Sequence, residues 1–228
     1  MAESQSIPWK RIAVEGAAIV ASILLAFAID ALWAEQQDRR AESEILSRLH
    51  DEFAQNRDGI GAMGTQNRVQ VASVELFRLL DASRNSDGPL QVQNTLIFES
   101  TITPTVDPIT PVLDGMVLSG QLGVIQDKDV LVAITNWQRQ VKNVAEFEVK
   151  AGEFARSQMV PALGQKGYMG RAYREENPGG ETSILVDDEL ISIVAWRAKD
   201  ADRVLRMLEM MRESATGLLS AIEKAQEK

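Results

Sequence analysis

Residues 12–34 read IAVEGAAIVASILLAFAIDALWA, with Glu15 and Asp30 as the only charges, and the fold is worked out from this stretch. The strictly uncharged run, 16–29, is 14 residues long, closer to a signal-peptide core than to a full membrane span. With its flanks the stretch has 23 residues. At 1.5 Å per residue that is about 34 Å, enough for a hydrocarbon core of about 30 Å. Trp9 and Trp33 then stand at the two interfaces, where amphipathic rings prefer to lie, and Lys10 and Arg11 precede the span. Glu15 follows Arg11 by four residues, so the two can pair along the helix.

A cleaved signal peptide is the competing reading, because Ala26-Phe27-Ala28 fits the small-x-small cleavage pattern. Against it, no glycine, proline or turn cluster interrupts the chain between Gly16 and Gly59, so a helix is expected to run through the would-be cleavage site. The expected topology is a cytoplasmic N-terminus (residues 1–11), a single transmembrane helix (12–34) and a domain outside. That domain would be periplasmic in a Gram-negative inner membrane. Lys10 and Arg11 favour this orientation, while the four arginines among seven acids in 35–58 weaken it.

Within the span, Glu15, Ala18, Ser22, Ala26 and Asp30 fall within roughly 120° of one another at 100° per residue. Small residues at this spacing let helices approach closely in lipid, and intramembrane acids are candidate functional groups. The face is therefore a candidate interface with another membrane protein or with a second copy. The plain alternative is that alanine is a common helix former and both acids lie shallow enough to be solvated.

Beyond the span the pattern is helical. Residues 35–44 are almost entirely polar and read as a stalk; 45–228 form the domain. Ala34, Ala41, Ile45, Leu49 and Phe53 recur at helical spacing until Gly59 and Gly61, and 65–83 place Val69, Ala72, Leu76 and Leu80 on one face. These two helices are expected to form an antiparallel hairpin. Residues 83–110 read as loop-rich, with a short helix near 92–100 before Pro104, Pro108 and Pro111. A short helix over 111–119 should be closed by Gly120, and Asp127 should cap a long helix over 128–161. A final helix should start near Asp187 and run to the C-terminus, with a bend near 195–200. No stretch alternates over a strand's length. The fold class is all-α: the anchor continues into an antiparallel bundle of about four main helices.

Composition excludes more chemistry than it suggests. There is no cysteine and one histidine, which rules out disulfides, thiolate nucleophiles and paired-imidazole metal sites. Net charge is −9, unsuited to nucleic acid. Asp187-Asp188-Glu189 reads as a helix start rather than a cation site. His50 reads as a surface histidine, and Met207, Met210 and Met211 as core filling. No catalytic residue, metal or cofactor is expected. One segment stands out: residues 164–186, a loop holding both tyrosines, Tyr168 and Tyr173, among Lys166, Arg171 and Arg174. Tyrosine and arginine are common in interface hot spots, so these five residues are a candidate contact loop; a plain connector is the alternative.

The anchor with Glu15-Gly16, Ile23-Leu24-Leu25-Ala26-Phe27 and Asp30-Ala31-Leu32-Trp33, its polar helical exit, and Leu118-Ser119-Gly120-Gln121-Leu122 followed by Ile125 and a long helix resemble a family of bacterial single-pass membrane proteins. That family's domain has no assigned function. Ser22 stands where the pattern has glycine. The resemblance implies topology and fold, and brings no activity or site residues. The expected function is a non-enzymatic membrane-anchored accessory subunit that contacts a partner through the anchor and the outer domain. The alternative is a ligand-sensing bundle that signals through a partner.

Overall fold

The computed structural model describes residues 9–62, 64–172 and 179–227. The elements run α1 (Trp9–Gly61), α2 (Gly64–Ala82), β1 (Leu90–Gln93), α3 (Asn94–Thr101), α4 (Pro111–Ser119), a 3₁₀ turn (Gln121–Val124), α5 (Lys128–Phe154), a π turn (Ala155–Met159), α6 (Val160–Gln165), α7 (Tyr168–Ala172), β2 (Glu181–Ile184) and α8 (Asp188–Gln226). The chain is predominantly helical. α1 has 53 residues, so it extends about 80 Å.

Helix ends follow local chemistry. Asp127 accepts from the Asp129 and Val130 N–H groups at 2.9 and 3.3 Å, and Asp187 from Leu190 at 2.8 Å, satisfying donors that the first turn leaves unpaired. Gly120 closes α4 at φ 73°, left-handed backbone that a side chain would strain. Pro161 cannot donate to the carbonyl four residues back and its ring crowds it. The helix widens just before it: the π turn closes with Val160 N–H on Ala155 O, and α6 continues the same rod.

The expected hairpin of α1 and α2 does not form. Among the described residues the two helices do not pack side by side; each packs along α8. Leu46, Leu49, Phe53 and Ile60 of α1 join Leu208, Met211, Leu218 and Ile222, whereas Leu76 and Leu80 of α2 join Leu190, Ile191 and Val194. His50 lies 3.5 Å from Glu223 at one end, and Arg84 lies 3.2 Å from Asp188 at the other. The glycines around 59–64 therefore make a step between two helices travelling the same way, with Ala62 N–H on Gly59 O at 3.2 Å. Length explains the choice: residues 45–82 span about 57 Å as helix and the 39 residues of α8 about 58 Å. Residues 128–165 form a third rod of similar length, and α5 makes the most extensive packing with α8. Four antiparallel helices were expected; the long helices instead make three rods, with α8 running against the other two.

Two more expectations are corrected. Two strands exist: β1 pairs antiparallel with β2, Leu90 opposite Ile184 and Val92 opposite Thr182. Ala34 and Ala41, which share the helical spacing of Ile45, Leu49 and Phe53, are exposed; the core begins at Leu46, with Ile45 partly buried against it. Val69, Ala72, Leu76 and Leu80 of α2 are buried, as is Trp137 of α5, whose ring meets Phe53 edge-on at 5.0 Å.

Candidate functional site

Residues 15–41 of α1 are exposed along their whole length, including Ile19, Leu24, Leu25, Phe27, Leu32 and Trp33. Among the described residues this is the one helix long and apolar enough to cross a membrane; its best 18-residue window has mean hydropathy 2.2 and none of it is buried. A contiguous apolar surface of this size calls for lipid or protein around it.

Glu15, Ala18, Ser22, Ala26 and Asp30 all lie in this bare part of α1. Ser22 Oγ donates to Ala18 O at 2.8 Å, so its hydroxyl proton is satisfied within the helix. At 100° per residue the face centres roughly 170° from the direction set by Leu46, Leu49, Phe53 and Ile60. The small-residue face therefore points away from the side of α1 that carries the domain. Trp9, Lys10 and Arg11 fall in α1, but their side chains lie outside the described residues.

The contact loop is largely structural where it is described. Residues 164–186 contain α7 and β2 rather than continuous loop. Tyr168 is buried, 5 % exposed, in the cluster of Leu76, Leu80, Leu163 and Ile184. Its hydroxyl oxygen accepts from Leu185 N–H at 2.8 Å, which fixes the end of β2. Lys166 pairs with Asp187, the cap of α8. Burial raises the Asp187 carboxyl, but Lys166 and the Leu190 N–H hold it below its ordinary value. Tyr168 thus serves the core of the fold, whereas Lys166 stands exposed beside the α8 cap. Arg171 sits in α7 with its side chain outside the described residues, as are Tyr173 and Arg174 altogether.

A polar feature not anticipated from the sequence lies around residues 101–113. This proline-rich strap crosses all three rods, and each rod supplies a side chain that holds its backbone. Arg197 of α8, 3 % exposed, donates to Ser100 O at 2.8 Å and also to Ile102 O. Glu148 of α5 accepts from Val106 N–H at 3.1 Å. Asn56 of α1 pairs both ways with Ile109, donating to its O at 2.6 Å and accepting from its N–H at 2.8 Å. Glu52, one turn away, accepts from Val112 and Leu113 N–H at 2.6 and 3.2 Å. It thereby caps α4, because the Thr110 hydroxyl is turned to Asp114. The signal in the sequence was Glu52 and Asn56, four residues apart beside the inward Leu49 and Phe53: polar groups on a core face must find partners.

Burial raises the Glu52 carboxyl despite its two backbone donors. Glu148 goes further, pushed up to about 7 by burial against the pull of Val106 N–H. Since the folded value lies above the ordinary 4.5, the neutral carboxyl stabilises the fold fully below that value, and this contribution is lost as pH rises through about 7. The carboxyl is partly exposed, so solvent screening reduces the effect to on the order of 1–2 kcal/mol. Glu148→Gln is therefore expected to raise the melting midpoint at pH 8 and to flatten its decline between pH 5 and 8, as read by thermal melts of the detergent-solubilised protein.

The described residues contain no group of three or more His, Asp or Glu able to hold a metal. His50 lies near Asp51 and Glu223 at a half-exposed position. Between the rods, beside Gln66, Thr103, Glu148 and Arg197, a cavity of about 20 Å³ has room for a single water. No protein-family model, curated protein or solved structure matches this chain.

Proposed function

We propose that the protein is a non-enzymatic, membrane-anchored interaction subunit. The carrying observation is the long helix α1, bare over 15–41, with Glu15 to Asp30 on a face that ideal helical geometry sets opposite its own domain. A partner helix, from another membrane protein or a second copy, can pack on that face without meeting the domain attached to the same helix. Lipid covers the bulkier side, where Val20, Leu24 and Phe27 lie. In this reading Trp9 and Trp33 mark the interfaces, the N-terminus is cytoplasmic and the domain projects into the periplasm, in keeping with the single-pass family the sequence resembles. The sensor alternative requires an enclosed ligand cavity; among the described residues the cavity beside Gln66 and Arg197 holds about one water, and the wider spaces of about 500 and 400 Å³, near Leu46 and near Val149, are open grooves.

Topology is directly testable because the chain has no cysteine. A single Gln226→Cys substitution is expected to be labelled by a membrane-impermeant maleimide in spheroplasts, whereas Ser4→Cys is labelled only after lysis. The reverse pattern contradicts the orientation, and release of the protein by alkaline carbonate contradicts the anchor.

A further inference from the structure

The strap over 101–113 is held by four side chains from three rods, and two of these are carboxylates that accept only backbone N–H groups. Glu148 accepts from the Val106 N–H, and no cation offsets its burial. The charged groups that share its surroundings are Arg197 from α8, Arg156 from the π turn and Asp107 from the strap itself; α2 presents the uncharged Gln66. Arg197 is committed to Ser100 and Ile102 carbonyls. A negative charge on Glu148 is therefore desolvated without a counter-ion. Directly beside it runs an open groove of about 400 Å³ between the strap and α5, reaching Thr105, Val149 and Arg156. Gly152 lines both the groove and the small cavity, and the Arg156 guanidinium folds over it, its Nη1 3.3 Å from where a Cβ would stand.

We propose that the strap is a proton-operated latch: it is held shut over α5 while Glu148 is neutral, and it loosens when Glu148 ionises and its carboxylate turns into the groove toward water and Arg156. Asn56 and Glu52 keep the Ile109 to Leu113 end fixed, so the moving part is 103–107. The neutral carboxyl still accepts from Val106 through its carbonyl oxygen, so closure does not depend on the charge. The position of Glu148 near neutrality supports this sense of operation.

The test is hydrogen exchange of the full-length protein in detergent at pH 5.5 and 8.5, corrected for the pH dependence of chemical exchange. A shift of one pKa unit is tenfold in the opening equilibrium, so backbone amides of 102–107 are expected to lose about tenfold in protection at the higher pH. Peptides from 130–144 and 208–222 should keep theirs. Glu148→Gln should abolish the change, and Glu52→Gln should retain it. Equal protection of 102–107 at both pH values in the natural protein, or a change that persists in Glu148→Gln, overturns the latch.

Discussion

Replacing Ala18 and Ser22 together by leucine is expected to separate the protein from its membrane partner while leaving the outer domain folded. Both positions lie on the small-residue face, where a close helix crossing has no room for two isobutyl groups. Overpacking a close contact costs about 1–3 kcal/mol, so two such changes weaken association by roughly 30-fold or more. The pair Val20→Ala and Leu24→Ala, on the bulkier side of α1, should have little effect. The domain serves as an internal control because its core begins at Leu46, more than 20 residues farther along. Unchanged melting and unchanged membrane extraction with lost association is the combined expected outcome, measured by size exclusion in mild detergent and thermal melts of the same samples. Association unaffected by the double substitution would remove the stripe from the account.

The second large effect is expected at Arg197. Truncation to alanine removes donors from Ser100 and Ile102 carbonyls and leaves a void beside Ala201 and Val204. Unpaired buried acceptors and a cavity together cost about 3–5 kcal/mol. Burial lowers the Arg197 pKa, only partly offset by Asp200, yet the guanidinium remains charged throughout the usable pH range. Lysine cannot reach both carbonyls with its single ammonium, so Arg197→Lys should recover less than half the loss. Denaturant titration of the three proteins measures this directly, and a loss below about 1 kcal/mol for Arg197→Ala would show that the strap adds little to stability.

Much of the helical scaffold was legible because it rests on local chemistry. Asp127 and Asp187 announce helix starts, and Gly120 a helix end. Val69, Leu76, Val130, Ile134, Leu208 and Leu218 announce buried faces by spacing alone. The features that were not legible depend on distant parts of the chain. LQVQ and ETSI are four-residue segments, too short for alternation to show, and they pair across about 90 residues. The step between α1 and α2 looks like a turn locally; only the length of α8 decides whether the chain reverses or carries on. Tyr168 was read as an interface tyrosine from its neighbours Lys166 and Arg171, but its hydroxyl has a backbone partner in Leu185, 17 positions later. The strap was legible only in fragments. Its prolines marked an extended segment, while the residues that hold it, Glu52, Asn56, Glu148 and Arg197, are scattered over three helices and look like ordinary surface positions when taken singly.

The candidate interface was legible for a different reason. Lipid-facing and partner-facing residues are chosen by the same helix periodicity that orders a soluble core, so Ala18, Ser22 and Ala26 stand out among Ile, Leu and Phe. What the structure adds is exposure: the face lies on a stretch of α1 that nothing in the domain covers, before the side that carries Leu46, Leu49 and Phe53 enters the core.

Purification of the tagged full-length protein from membranes in mild detergent, followed by native mass spectrometry, tests the interaction-subunit reading most directly. The account predicts extraction only with detergent and a defined complex containing a second membrane-spanning chain, either a different protein or another copy of this one. A soluble protein, or a detergent-extracted lone monomer whose mass is the same with and without the Ala18→Leu and Ser22→Leu substitutions, would contradict it.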